Sequence, residues 1–115
     1  MRLLVCGDRN WTNYGAIYRE IQARNPEVVI EGEARGADTM ARIAAVVLGI
    51  PVLPFPAEWE LHGKAAGPIR NQKMLDEGKP TEVIAFHTNI DASKGTKNMV
   101  SLAAKNNVPV YIYES

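Results

Sequence analysis

Two short segments of this chain place glycine beside cationic and hydroxyl residues: Gly32-Glu33-Ala34-Arg35-Gly36-Ala37-Asp38 and Ser93-Lys94-Gly95-Thr96. Glycine just ahead of a helix lets the backbone come close to an anion, and the free N–H groups and positive dipole end of the helix hold it there. Gly36 and the Gly95-Thr96 pair suit that chemistry, with Arg9, Arg35 or Lys94 adding charge. Either segment alone shows only that the chain turns, because short glycine motifs match by chance. Two that converge on one crevice point to anion binding. Neither has the spacing of a dinucleotide fingerprint or a Walker A loop. After Gly7 no glycine follows until Gly15, so a standard NAD site is not expected and no cofactor is assigned.

Other reactive side chains are sparse. His62 and His87 are too few for a metal site and have no H-x-x-x-H spacing, so a hydrogen-bonded histidine at a strand end is expected instead. Cys6 sits among apolar neighbours, which favours a buried, inert thiol. Trp11 and Trp59 suit stacking on a base, and equally suit packing that needs no ligand. Asp8, Glu33 and Asp38 are the acids near the two segments; Asp38 is expected to interact with the first turn of its own helix. There is no G-x-S-x-G elbow and no Ser-His-Asp order.

The elements that position these residues follow from hydrophobic spacing. Leu3 to Cys6, ending at Gly7, reads as a first strand, and Tyr14, Ile17, Tyr18 and Ile21 mark one face of a helix capped by Thr12 or Asn13 and ended by Pro26. Val28 to Ile30 is a second strand. The helix after Gly32–Asp38 is apolar almost all round (Met40, Ala41, Ile43, Ala44, Ala45, Val46, Val47, Leu48), so part of it is expected to meet a second subunit. Gly49 stops it, and Pro51 to Leu53 begins a third strand. An irregular stretch from about Pro54 to Ala66 leans functional by its length. Gly67-Pro68 opens a third helix with proline at its first position, Val83 to Phe86 is the fourth strand, a fourth helix carries Met99, Val100, Leu102 and Ala103, and Val108 to Tyr113 closes the chain as a fifth strand.

The order βαβαβαβαβ, with strands that do not alternate polar and apolar, predicts a single doubly wound Rossmann-like α/β domain over residues 1–115. In such sheets ligands sit outside the carboxyl ends of the strands, where strand order reverses. For the order 3-2-1-4-5 the crevice lies between the first and fourth strands. Four loops then converge on one rim: Gly7–Trp11, Gly32–Asp38, the segment carrying Trp59, His62, Gly63, Lys64, Gly67, Arg70 and Asn71, and His87–Thr96.

Composition narrows the function classes. The chain has 115 residues, 46% hydrophobic and 23% charged, which is ordinary globular usage and not that of a disordered chain. At this length roughly 65% of the unfolded chain's surface is buried, enough for a core. Thirteen Lys+Arg balance thirteen Asp+Glu, which argues against non-specific binding along a nucleic-acid backbone. One cysteine excludes an internal disulfide. No apolar run approaches 18 residues and no secretory signal precedes the first strand, so a cytoplasmic protein away from membranes is expected.

Taken in order, Gly7-Asp8-Arg9-Asn10-Trp11, Gly32-Glu33-Ala34-Arg35-Gly36-Ala37-Asp38, His62-Gly63-Lys64-Ala65-Ala66-Gly67-Pro68-Ile69-Arg70-Asn71 and Ser93-Lys94-Gly95-Thr96 resemble the YspA-like, YpsA-related branch of the SLOG superfamily of Rossmann-like domains. The resemblance covers nearly the whole chain and implies a nucleotide or nucleotide-derived small molecule as ligand, in a protein of bacteria or their phages. The LOG-type phosphoribohydrolases of that superfamily release a base from a nucleoside monophosphate. Their Gly-Gly-x-Gly-Thr loop is similar to Ser93-Lys94-Gly95-Thr96, which implies a phosphate cradle here. Their helix arginine upstream of that loop corresponds to Arg70, at the phosphate or ribose end. Their catalytic glutamate, three residues after the Gly-Thr pair, is replaced by Met99.

Base hydrolysis would therefore have to draw its acid from Glu33 or Asp8. Glu33 stands where a second glycine is common in the family, either as this protein's own acid or as a group that keeps phosphate away. The expected ligand-binding set is Gly7, Arg9, Trp11, Gly32, Arg35, Gly36, Lys64, Arg70, Asn71, Ser93, Lys94, Gly95 and Thr96, with no metal. The leading expectation is a nucleotide-binding module. The alternatives are an N-glycoside hydrolase acting on a nucleotide and a single-strand nucleic-acid binder, the last disfavoured by the zero net charge. A homo-oligomer formed through the second helix is expected as well.

Overall fold

The computed structural model describes residues 1–114. Five strands form one sheet in the order β3-β2-β1-β4-β5, with every pairing parallel. They are β1 (Arg2–Gly7), β2 (Val28–Glu31), β3 (Val52–Pro54), β4 (Glu82–Phe86) and β5 (Val110–Tyr113). The helices are α1 (Tyr14–Arg24), α2 (Ala37–Leu48), the single-turn α3 (Trp59–His62), α4 (Ala66–Asp76) and α5 (Lys94–Lys105). The expected fold class and strand order are those observed.

Sheet and helices pack because both faces of the central strands are apolar. Along β1, Leu3 and Val5 point to one side and Leu4 and Cys6 to the other, and all four are buried. Leu3, Val5, Val29, Ile84 and Phe86 pack beneath α1 and α2 against Ile17, Ile21, Ala41, Ala44 and Ala45. On the opposite face Leu4, Cys6, Ile30, Val83 and Ala85 pack beneath α4 and α5 against Met74, Leu75, Met99 and Ala103. This two-sided burial explains why the strands read as continuous apolar runs.

Several boundaries differ from the sequence reading. The stretch from Pro54 to Ala66 is not irregular throughout: it holds α3 and a 3-10 turn at Gly63–Ala65. Consequently α4 starts at Ala66 and Pro68 is its third residue, still within the first turn where a missing N–H removes no intrahelical bond. β3 runs one residue later than expected and β5 starts at Val110 rather than Val108. Asn13, not Thr12, caps α1, its side chain accepting from the Ala16 N–H at 3.1 Å. α2 is not buried all round: its alanines face the sheet, while Ile43, Val46 and Val47 lie on the outer face, the two valines 66% and 64% exposed. Among the described residues no helix is long and apolar enough to cross a membrane.

Candidate functional site

The crevice opens at the carboxyl ends of the strands, at the β1/β4 junction where the order reverses, and has a volume of about 870 Å³. It is built first by close approach of two loops. Gly7 ends β1 with φ +154°, and a Cβ there would stand 2.3 Å from the Phe86 carbonyl oxygen. A Cβ on Gly36, where φ is +75°, would stand as close to the Asp8 carbonyl oxygen, so only glycine lets the start of α2 press onto the β1 loop. The Asp8 backbone ties the junction together. Its N–H donates to the Phe86 carbonyl at 2.8 Å, and its carbonyl accepts from the Trp11 and Ala37 N–H groups at 3.1 Å each.

The start of α5 forms the opposite wall. Ser93 caps it, its Oγ accepting from the Thr96 N–H at 3.2 Å. The Lys94 and Gly95 N–H groups keep no acceptor among the described residues, as the first turn of a helix requires. Lys94 and Gly95 both line the crevice, and nothing lies within 4 Å of where a Gly95 Cβ would be.

Arg70 and Asn71 on α4 join the two walls. Arg70 donates through Nη1 to the Gly32 carbonyl and through Nε to Asn71 Oδ1 at 2.9 Å. Asn71 Nδ2 in turn donates to Asn98 Oδ1 at 2.9 Å and to the Gly95 carbonyl at 3.3 Å. Asn71 is buried, with Nδ2 donating twice and Oδ1 accepting from Arg70, so it positions the start of α5. Arg70 is half-committed in the same way, with Nη2 left over.

A pair of buried acids holds the Gly32–Gly36 loop from below. Asp38 Oδ2 accepts from the Gly32 N–H at 3.1 Å and the Ala34 N–H at 3.3 Å, so it grips the loop before its helix instead of the helix's own first turn. Burial pushes its carboxyl up to about 6, against the pull of the Ala34 amide and Arg70. Glu31, the last residue of β2, is fully buried; its Oε1 accepts from the Glu33 N–H at 2.8 Å and its Oε2 has no partner among the described residues. Burial raises it to about 7. Sequence reasoning missed Glu31, although a charged residue closing the apolar run Val28-Val29-Ile30 was a readable signal.

Of the expected site residues, Gly7, Asp8, Arg9, Gly32, Glu33, Arg35, Lys64, Arg70, Asn71, Ser93, Lys94, Gly95 and Thr96 line the crevice. Two do not. Trp11 is buried in the core, its ring 5.6 Å from Phe86 and 6.1 Å from Tyr113 and its Nε1 donating to the Asn13 carbonyl at 2.9 Å, so it presents no face to a ligand. Gly36 sits behind the wall it shapes. Trp59, 55% exposed on α3, takes the lining position instead. Met99 is buried against Met74 and Ala103, so α5 brings no acid. Cys6 is at the crevice floor, where burial pushes its thiol well above the usual range.

Five cationic side chains (Arg9, Arg35, Lys64, Arg70, Lys94) and three acidic ones (Asp8, Glu33, Asp38) line the crevice, so a neutral chain concentrates positive charge at one rim. No group of three or more His, Cys, Asp or Glu side chains among the described residues could hold a metal ion.

Residues 1–62 match the family described as YspA, cpYpsA-related SLOG. The chain is 37% identical over 120 residues to the Gene 61 protein of Mycobacterium phage D29, covering 95% of this chain and 93% of that one. In fold it is similar to DNA processing protein A (DprA) of Streptococcus pneumoniae, with a TM-score of 0.55 at 16% sequence identity. That match covers 98% of this chain but 59% of the DprA chain.

Proposed function

Because this chain belongs to the YspA, cpYpsA-related SLOG family, we propose that its crevice binds a nucleotide or a nucleotide-derived small molecule, phosphate first, on the start of α5. The observation that carries this is the open cradle at Gly95: two uncommitted amides at a helix N-terminus, unobstructed space at the glycine, and Lys94 beside them. Arg9, Arg35 and Lys64 supply further positive charge at the rim, and exposed Trp59 offers a face on which a base stacks. Family and fold together fit a domain of nucleotide or nucleic-acid binding; the small-molecule form of that reading is favoured because thirteen Lys+Arg are balanced by thirteen Asp+Glu, so the chain lacks the excess of positive charge that tracks a nucleic-acid backbone.

A thermal-shift series of nucleoside mono-, di- and triphosphates, cyclic nucleotides and ADP-ribose tests it. A ligand at 100 times its Kd adds about 2.7 kcal/mol, a rise of roughly 5–10 °C for a domain of this size. Gly95→Leu should abolish the shift by filling the cradle while leaving the apo protein at least as stable, since glycine is a poor helix former. Stabilisation by nucleotides that survives Gly95→Leu would refute the assignment.

Hydrolysis of the N-glycosidic bond is the second reading, favoured by Asp8 and Glu33 lining the same crevice. Mass spectrometry separates it from binding: an intact ligand means a binding module, base plus sugar phosphate a hydrolase. The outer face of α2 (Ile43, Val46, Val47) is where we place contact with a second copy; light scattering that finds only monomer at micromolar concentration would remove it.

A further inference from the structure

His87 and Asp8 stand at the ends of the two strands between which the order reverses, and the phosphate-and-base binding mode proposed above assigns neither a ligand group. His87 is 7% exposed, yet lines the crevice. Its Nδ1 accepts from the Asn89 N–H at 2.9 Å, so the ring proton is on Nε2. Nε2 faces Asp8 Oδ2 at 4.0 Å, too far for a direct hydrogen bond. The other carboxylate oxygen, Oδ1, is occupied by the Asn10 N–H at 2.9 Å. Both residues are pinned through the backbone: the His87 N–H donates to the Tyr113 carbonyl at 3.0 Å, and Asp8 is held on Phe86, Trp11 and Ala37.

A fixed N–H donor therefore confronts a fixed acceptor across a gap of 4.0 Å. One oxygen about 2.8 Å from each fits between them, and it must accept from Nε2 while donating to Oδ2. A hydroxyl does both. A phosphate group, anionic in every protonation state at neutral pH, is repelled by the Asp8 carboxylate, and a carbonyl has no proton to donate. We propose that the Asp8–His87 pair is a hydroxyl subsite that receives a sugar hydroxyl of the bound nucleotide, setting the sugar at the β1/β4 junction and making the protein select for the hydroxylated sugar over its deoxy counterpart. This rests on the nucleotide reading and adds the part of the ligand that the α5 cradle does not define.

The test uses calorimetric titration of the full chain with AMP, 2′-deoxy-AMP and 3′-deoxy-AMP, and NMR titration of the His87 imidazole with ribose 5-phosphate, which needs no particular base. One deoxy form should bind at least tenfold more weakly than AMP, because it loses both hydrogen bonds that the hydroxyl makes in the crevice, one from His87 Nε2 and one to Asp8 Oδ2. Asp8→Asn and His87→Phe should each shrink that preference to twofold or less while the melting temperature still shows a folded chain. Ribose 5-phosphate should shift the His87 resonances, and inorganic phosphate should not. Equal binding of all three nucleotides, together with their loss in Gly95→Leu, would overturn the hydroxyl subsite and leave the phosphate cradle standing. Unchanged preference in both variants, with the His87 resonances unmoved by ribose 5-phosphate, would mean that the pair holds only water and overturn it as well. Failure of every nucleotide and of ribose 5-phosphate to bind would remove the nucleotide reading, and the subsite with it.

Discussion

Replacing Glu31 by glutamine isolates the energetic consequence of ending β2 with a buried acid. Burial raises the Glu31 carboxyl from 4.5 to about 7, so ionising it in the fold is about 3 kcal/mol harder than in the unfolded chain. The native state thus binds more protons than the unfolded one between those two values. Stability from this group is fully present below pH 4.5, falls as pH rises through about 7, and is level above that. Glu31→Gln keeps an oxygen for the Glu33 N–H and cannot ionise. Its amide also leaves a buried donor unpaired, at a cost of about 1–3 kcal/mol that is the same at every pH.

The quantity to read is therefore the difference in unfolding free energy, wild type minus Glu31→Gln, by urea denaturation from pH 4.5 to 8. It should fall by about 3 kcal/mol across that range. With a urea dependence of about 1.5 kcal/mol/M, the wild-type midpoint loses roughly 2 M relative to the variant. Titration of Asp38, raised to about 6, occurs in both chains and largely cancels. A difference that stays flat between pH 5 and 8 would refute the reasoning, because it would mean the Glu31 carboxylate ionises in the fold as easily as in water.

Two further substitutions read the backbone of the crevice. Gly36→Ala places a Cβ 2.3 Å from the Asp8 carbonyl oxygen at φ +75°, and should lower stability by at least about 2 kcal/mol and move the Asp8 and Arg9 amide resonances; a neutral result would show that the two loops are not pressed together. Glu33→Gly relieves a non-glycine residue held at φ +56° and should raise stability by about 0.5–1 kcal/mol in urea denaturation, whereas a loss would mean that the Glu33 side chain holds the loop.

Parallel strands that are apolar on both faces, separated by helical spacing, specify a doubly wound sheet, and that is why the α/β class was legible from Leu3–Cys6, Val28–Ile30 and Val83–Phe86 onward, while the order 3-2-1-4-5 is one of the few that right-handed crossovers allow. Because loops at the carboxyl ends of such strands must share one rim, most of the lining residues were legible too. Three features were not, because each depends on distances between segments remote in sequence. Whether Trp11 faces a ligand or the core depends on Phe86 and Tyr113, which lie more than seventy residues away. The commitment of Asn71 to the Gly95 carbonyl depends on how α4 and α5 pack across one face of the sheet. The environment of Glu31 is set by the Gly32–Gly36 loop closing over it, since a strand pattern gives the direction of a side chain but not what covers it. Composition and periodicity are local properties and specify the scaffold; hydrogen-bond partners and burial are created when the strands assemble, and they decide which of the gathered residues hold the crevice together and which remain open to a ligand.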